Sequence, residues 1–590
     1  MELPNMITIG INEGINSSVV VARDGEILFA LQEERVNRIK EFIGFPHGAL
    51  DMALQVLKLD PGHVRTVCFS NLVSPRTTKE AFQAYQHRTA MTVLERLRHG
   101  DLGAPATLLP PIVRRALSRR SGEVADSSNS EMERALARHG LAHAEIRRTH
   151  HHLNHAASAY FGCRKNAVDP HLVLTLDGGG DDACAQVYVA TEGQLKLLSS
   201  TPLGHSLGNV YARVTYAMGM RPHEHEYKLM GLAAYASREH CKGIAERFRA
   251  MLDLDPADTL RFRRRMREET THIVPRLRRE FRHERFDNLA GGLQFYTEDL
   301  MTRWVACAME RTGVRKVVAA GGVFMNVKAN KAIAELPGIE YFDVFPSCGD
   351  ETLPFGAVWL EHALRSGGGA DIRFSSFHLG PEGSYDLQAA VVEHGDRIEV
   401  RRMADPDAET ADLLSEGKVV ARCSGKMEFG ARALGNRSIL ADPADYRVIN
   451  RINRMIKQRD FWMPFAPAML AERAAEYVRI PPSLPRDRLS PWMMHTFDTT
   501  DEREGFSAGV HQYDLTARAQ MVSVTSAPRF YRLIKAFEQR TGRAVVLNTS
   551  FNLHGFPIVL GANDAIKVLL ASGLDHLVID DSLITKKKAS

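Results

Sequence analysis

Cysteine is scarce and scattered. Seven stand among 590 residues, none in a CxxC pair. That spacing excludes a disulfide framework and points to reduced thiols. A long apolar run is missing too. Nothing approaches the ~20 residues needed to cross a bilayer, so a membrane span is not expected. Met1-Glu2-Leu3-Pro4-Asn5 carries no signal-peptide pattern, and a cytoplasmic protein is expected. Charge bias is absent as well. The 75 basic and 71 acidic side chains leave +4, too balanced to argue for nucleic acid or a membrane surface. What is present is ordinary globular usage, 44% hydrophobic and 25% charged, in a chain too long for one core. Two major domains are expected.

The amino end opens with Met6-Ile7-Thr8-Ile9, then Gly10-Ile11-Asn12-Glu13-Gly14. Ser18–Ala22 and Ile27–Ala30 flank Asp24-Gly25, a hairpin signal. The same design recurs from Asp169, with a second turn at Glu192-Gly193. Two such units suggest a duplicated nucleotide fold of the actin and sugar-kinase type. Residues 76–148 look helical and polar. The arginine-rich stretch from Arg261 to Arg285 reads as a solvated helical insertion, diluted by Glu268, Glu269, Glu280 and Glu284.

Chemistry concentrates at His150-His151-His152-Leu153-Asn154-His155. On a helix His151 and His155 share a face and reach one metal ion. Leu172–Leu176 reads as a strand ending in Asp177 and a glycine turn, Gly178-Gly179-Gly180, whose N–H groups suit phosphate. Val317–Ala320 opens onto Gly321-Gly322 and then a helix beyond Asn326, another phosphate-favouring terminus. Asp350 follows a strand end and can complete a metal site with His151, His155 and Asp177. Two imidazoles and two carboxylates suit iron, zinc or manganese better than magnesium or calcium.

Ser366-Gly367-Gly368-Gly369 is the clearest linker. It divides residues 1–366 from a linker, 367–395, and a carboxyl domain, 396–590. That domain places Lys426, Arg432 and Arg437 among glycines and Ser438, with Lys457, Arg459 and Arg518 beyond. Asn548-Thr549-Ser550-Phe551-Asn552 ends a strand in a row of hydrogen-bonding side chains. Arginine forks pair bidentately with phosphate oxygens, so a second phosphorylated ligand is expected here.

These segments carry a resemblance. His151–Ala159, Glu226-Tyr227-Lys228-Leu229-Met230-Gly231, Met427-Glu428-Phe429-Gly430, Arg432–Ser438 and Asn548–Asn552 occur in order over almost the whole chain. The chain resembles the O-carbamoyltransferase family of the nodulation-protein and antibiotic-tailoring type. The resemblance implies an α/β, actin-like (Kae1-like) amino domain and an α+β, YrdC-like carboxyl domain. The carboxyl domain would make carbamoyl adenylate from carbamoyl phosphate and ATP, with Mg2+. The amino domain would pass the carbamoyl group to a hydroxyl of a small acceptor, a natural product or sugar.

By motif, His151, His155, Asp177 and Asp350 would hold Fe2+, with zinc and manganese as alternatives. Asn12, Gly178, Gly179, Gly180, Gly321, Gly322 and Asn326 would line the nucleotide. Lys426, Arg432, Arg437, Ser438, Lys457, Arg459, Arg518, Asn548 and Ser550 would surround carbamoyl phosphate. His152, Glu226 and Lys228 stand as candidates for taking the acceptor's proton, although His152 reads better as a helix histidine turned away from the metal. A homodimer is compatible with the resemblance. The chain also departs from the pattern. No His stands near Ile15 or Asn16, Lys426 and Met463 stand where Arg is usual, Ala431 for Pro, and Phe556 for Glu. Two rival readings are a tRNA threonylcarbamoyl-adenosine-type enzyme and a nucleotide-binding regulator without turnover. Near-neutral charge and the fused motifs argue against the first. The second would bind ATP and leave carbamoyl phosphate intact.

Overall fold

The computed structural model describes residues 6–72 and 131–587. Most of the expected helical stretch at 76–148 lies outside them. Of its described part, residues 131–138 are helical as expected, whereas Glu145–Arg148 is a strand.

The amino portion is built twice on one plan. Its first sheet runs Glu26–Gln32, Ser18–Arg23, Ile7–Asn12, Val64–Phe69, Glu145–Arg148. Its second runs Gln194–Pro202, Ala183–Thr191, His171–Gly180, Lys316–Ala320, Tyr341–Val344. In each, the first three strands are antiparallel and the last two run parallel to the central one. The hairpin turns match as well. Asp24-Gly25 and Glu192-Gly193 both place two residues at positive φ, the geometry that suits the twist of paired strands.

Two helices, His151–Cys163 and Leu353–Ser366, lie between these sheets. Their approach is close because glycine stands at the crossing. A Cβ on Gly356 would meet the Asn154 carbonyl at 1.9 Å, and one on Gly162 would meet the Phe345 ring at 2.3 Å. Alanine at either position would push the histidine helix off its seat.

The arginine-rich stretch is not a helical insertion at its start. Leu252–Asp255 and Asp258–Arg264 form a β-hairpin, and its arginines face aspartates across and beside it. Arg261 meets Asp258 at 3.2 Å, Arg265 meets Asp253 at 2.9 Å and Arg263 meets Asp255 at 3.6 Å. These arginines stay on the surface, paired with the aspartates beside them.

The carboxyl portion carries an eight-stranded mixed sheet, in the order Ile398–Arg402, Ser582–Lys586, His576–Ile579, Val420–Cys423, Arg437–Ala441, Val545–Ser550, Ala466–Leu470, Gln520–Val522. Within the stretch expected as a linker, His378–Glu382 pairs with Lys426–Glu428, and Leu387–His394 is a helix. One apolar core runs across both portions. Phe355 stacks on Phe377 at 5.6 Å, Phe377 meets Phe429 at 5.7 Å, and Phe374 meets Trp492 at 5.5 Å. Polar ties reinforce it. Arg35 donates to the Gly430 carbonyl at 2.7 Å, and Asn330 to the Met494 carbonyl at 2.8 Å. All seven cysteines are unpaired. Among the described residues no helix is long and apolar enough to cross a membrane.

Candidate metal centre and cation cluster

Helix periodicity brings His151 and His155 onto one face, and two strand ends supply the carboxylates. One ligand atom from each of His151, His155, Asp177 and Asp350 lies within 4.8 Å of the others. His155 Nε2 is 3.0 Å from Asp177 Oδ2. His151 Nε2 is 3.6 Å from both Asp177 Oδ2 and Asp350 Oδ1. That is too long for a hydrogen bond, and His151 Nε2 is buried without a partner. A buried imidazole nitrogen facing two carboxylates across such a gap fits a shared cation. Burial alone would raise Asp177, but the adjoining imidazoles of His151 and His155, the latter hydrogen-bonded to it, overcome that and hold its carboxyl well below the ordinary range. Burial and the charge of Asp177 push Asp350 well up. Two carboxylates this close cannot both ionise cheaply unless a cation joins them.

His152 turns away. Its Nδ1 meets Thr175 Oγ1 at 2.9 Å and its Nε2 meets the Ala183 carbonyl at 3.0 Å. Both ring nitrogens are spent inside the fold, which leaves none for an acceptor.

The glycines after Asp177 do not form the expected turn. They prolong the strand to Gly180 with a shift of register, and the reversal falls at Asp181, where φ is +53°. A bulge of this kind frees backbone groups beside a site. Gly180 has a steric task as well, because a Cβ there would meet the His151 ring at 2.1 Å. Gly322 approaches Asp177 so closely that a Cβ would lie 3.2 Å from Oδ1. Gly321 takes φ +108° against the Leu176 backbone. Asn12 is fully buried and donates to the Asp350 carbonyl at 3.1 Å. Asn326 caps the helix Val327–Ala334 and exchanges hydrogen bonds with Gln294 at 2.9 Å. Both side chains are thus engaged within the protein.

Of the expected cations, four gather. Arg432 Nε and Arg518 Nη2 are buried without partners. Lys457 donates to Ser550 Oγ at 3.1 Å and to Asn552 Oδ1 at 2.7 Å. Arg459 donates to Thr549 Oγ1 at 3.1 Å and covers the Phe465 ring. Lys457 ends a π-helical turn, Asn453–Lys457, an irregularity frequent at functional sites. Burial pulls Arg432 down to about 10 and depresses Arg459. Burial, then the charge of Arg432, pushes Arg518 well below its ordinary range. Burial, then Arg459 and Lys40, does the same to Lys457. The cluster is short of negative charge, and an anion would relieve it.

The other expected contacts lie elsewhere. Arg437 is fully buried, and its guanidinium is spent on carbonyls of Leu560, Gly425 and Pro381 at 2.9, 3.0 and 3.0 Å. Ser438 accepts from the Gly435 N–H at 3.0 Å. Asn548 donates to the Ala433 carbonyl at 3.0 Å and to Gln520 at 2.9 Å. These three shape the loop that carries Arg432. Lys426 is exposed. Lys228 pairs with Asp460 at 3.1 Å, so it clamps the two portions together. Glu226 is held by the His223 N–H at 2.7 Å, and burial pushes it up to about 7.

One loop joins the two groups. Phe345–Glu351 carries Asp350, and Ser347 Oγ in it accepts the Ala431 N–H at 3.0 Å, next to Arg432. Ser347 and Cys348 both take positive φ, a strained path that the surroundings must enforce.

Glu428 is a residue whose role the motifs left unstated. Its Oε1 accepts from the N–H groups of Leu434, Asn436 and Arg437 at 2.7, 3.1 and 3.0 Å. The signal was a lone carboxylate in an otherwise apolar Met-Glu-Phe. Glu428→Ala leaves three buried donors unmet. We expect it to lower unfolding stability by about 3 kcal/mol or more, read by urea titration. An unchanged midpoint would refute this role.

Comparison with known proteins agrees with the order of these parts. Residues 8–359 match the family model for the carbamoyltransferase N-terminus, and residues 411–586 match that for the carbamoyltransferase C-terminus. Nodulation protein NolNO of Sinorhizobium fredii is 29% identical over 600 residues, covering 100% of this chain and 81% of that protein. The 3'-hydroxymethylcephem-O-carbamoyltransferase of Amycolatopsis lactamdurans is 33% identical over 174 residues, 30% of this chain and 32% of that protein. Among solved structures, HypF of T. kodakarensis overlaps 62% of this chain and 49% of its own, at 11% identity and a TM-score of 0.33. That overlap is too loose to carry a property across. The two family models match in order, and the longer spans more than half of the sequence. The chain therefore belongs to the carbamoyltransferase family and is an enzyme of carbamoyl transfer.

Proposed function

We propose that this enzyme is an ATP-dependent O-carbamoyltransferase with two linked reactions. In the carboxyl portion, which we read as YrdC-like, carbamoyl phosphate, ATP and one water give carbamoyl adenylate, phosphate and pyrophosphate. In the amino portion the adenylate meets a hydroxyl of a small acceptor, giving the carbamate ester and AMP. The observation that carries this reading is the loop Phe345–Glu351. It ties the four-ligand group to unpaired Arg432, so an intermediate made at one site has a short way to the other.

Carbamoyl phosphate and ATP repel each other, and Arg432, Lys457, Arg459 and Arg518 offset that charge in a site of low dielectric. Burial and mutual repulsion disfavour the charged forms of Lys457 and Arg518 in the empty site, so bound anions would favour them. The bulge at Gly178–Gly180 and the turn at Gly321-Gly322 would line the adenylate, although the N–H groups of Gly178 and Gly321 are given to Asp177 Oδ1 and to the Cys348 carbonyl. His151, His155, Asp177 and Asp350 would hold the metal, iron in our reading. When bound, it would supply Lewis-acid polarisation of the carbamoyl carbonyl.

Glu226 is the acceptor base we favour, since His152 and Lys228 are occupied. Protonated below about 7 and ionised above it, it would make transfer rise with pH through about 7 and then level. Glu226→Gln should flatten that limb. The same shift acts on folding. Stability present at low pH is lost as pH rises through the folded pKa, and the Gln variant should not show that loss. A transfer profile unaltered by the substitution would remove Glu226 from the mechanism.

The reading as a whole is tested by product identity. With carbamoyl phosphate and no acceptor, ATP should yield pyrophosphate and no ADP. ADP as the product would refute adenylate chemistry.

A further inference from the structure

Strand Val64–Phe69 ends in Ser70-Asn71-Leu72, and these residues are fastened to the start of the histidine helix. Asn154 Nδ2 donates to the Ser70 carbonyl at 3.0 Å, and the Thr149 N–H to the Phe69 carbonyl at 3.1 Å. The Asp181 carboxylate accepts the Leu72 N–H at 3.2 Å and the His151 N–H at 2.8 Å. Within this frame Asn71 is 7% exposed, and its Oδ1 lies 2.9 Å from His151 Nδ1.

A neutral imidazole carries one proton, and an amide oxygen only accepts. The contact therefore places the proton of His151 on Nδ1 and the lone pair on Nε2. That nitrogen is the one facing Asp177 and Asp350 at 3.6 Å. The other imidazole lacks such support. His155 Nδ1 is buried without a hydrogen-bond partner. The two histidines are therefore unequal, His151 being fixed in tautomer and ring angle from its far nitrogen, and His155 being bonded only through Nε2 to Asp177.

We propose that Asn71 is a positioning residue for the metal centre, fixing the tautomer and ring orientation of His151 through its side-chain oxygen. The inference rests on reading the four-residue group as a metal site. It goes further by naming a residue outside that group, 80 positions away in sequence from the histidine it orients. The chemistry is general. An acceptor on the far nitrogen aims a ligating imidazole and raises its basicity.

The test uses the full-length protein stripped of metal, as wild type, Asn71→Ala and Asn71→Asp. Cobalt(II) is titrated against a chromophoric chelator. The wild type should bind one ion, and Asn71→Ala should lose about 10–100-fold in affinity. Asn71→Asp keeps an acceptor of the same reach. It should recover most of that loss and shift the visible cobalt bands, because a carboxylate partner makes the imidazole a stronger donor. Metal-free Asn71→Ala should unfold somewhat earlier, because the buried His151 Nδ1–H loses its acceptor. Asn71→Asp should unfold with the wild type and still shift the cobalt bands, a readout that a merely structural role would not move. Equal cobalt affinity in wild type and Asn71→Ala, with the wild type loaded, overturns the role of Asn71 alone. Failure of the wild type to bind any ion overturns the metal reading and this inference with it.

Discussion

Replacing Asp177 with Asn should abolish carbamoyl transfer, by on the order of a thousandfold, while pyrophosphate release from ATP and carbamoyl phosphate persists. The carboxylate sits between both imidazoles, 3.0 Å from His155 Nε2 and 3.6 Å from His151 Nε2. An amide keeps the shape and removes the charge that a cation needs. It also loses the acceptor that Gly178 N–H uses through Oδ1 only if the amide flips, so the backbone should stay in place. The substitution thus separates the two reactions chemically, with the fold intact. Metal content measured alongside activity identifies the cause. A variant that stays metal-loaded and active would mean that the four-residue group is not the transfer centre.

Arg518→Ala should do the converse. Pyrophosphate release should fall about a hundredfold or more, with metal content unchanged. Arg518 is anchored through Nε to the Met493 carbonyl at 2.8 Å, and its Nη2 is left buried and unpartnered. A guanidinium fixed at one end and empty at the other is prepared for an anion. Arg432 beside it repels it, so removing one arginine relaxes a strained pair. The empty protein should lose no stability, or gain a little, even as activity collapses. Loss of both stability and activity together would point to a structural arginine, as Arg437 is.

That contrast shows where sequence reading succeeds and where it ends. His151 and His155 are one helical turn apart, and Asp177 and Asp350 stand at the ends of apolar runs. Local periodicity puts all four on edges that the fold brings together. The duplicated plan was legible for the same reason, since Asp24-Gly25 and Glu192-Gly193 announce their turns. Arg432 and Arg437 look alike in sequence. They part only because carbonyls of Leu560 and Pro381, remote in the chain, close over Arg437. The glycine segment after Asp177 was misread as a turn because a bulge is defined by the partner strand, Ala183–Thr191. Asn71 was invisible because its meaning is a contact across two separate strand–helix units. The arginines near Arg261 are solvated as expected, but they sit on a hairpin and not on a helix, beside Asp253, Asp255 and Asp258.

The measurement that bears most directly on the account is rapid-quench mass spectrometry of the wild type, Asp177→Asn and Arg518→Ala, each given ATP and carbamoyl phosphate without acceptor. Carbamoyl adenylate should appear in the wild type and in Asp177→Asn, and be missing from Arg518→Ala. Adenylate absent from the wild type, or lost equally in both variants, would contradict two sites sharing one intermediate.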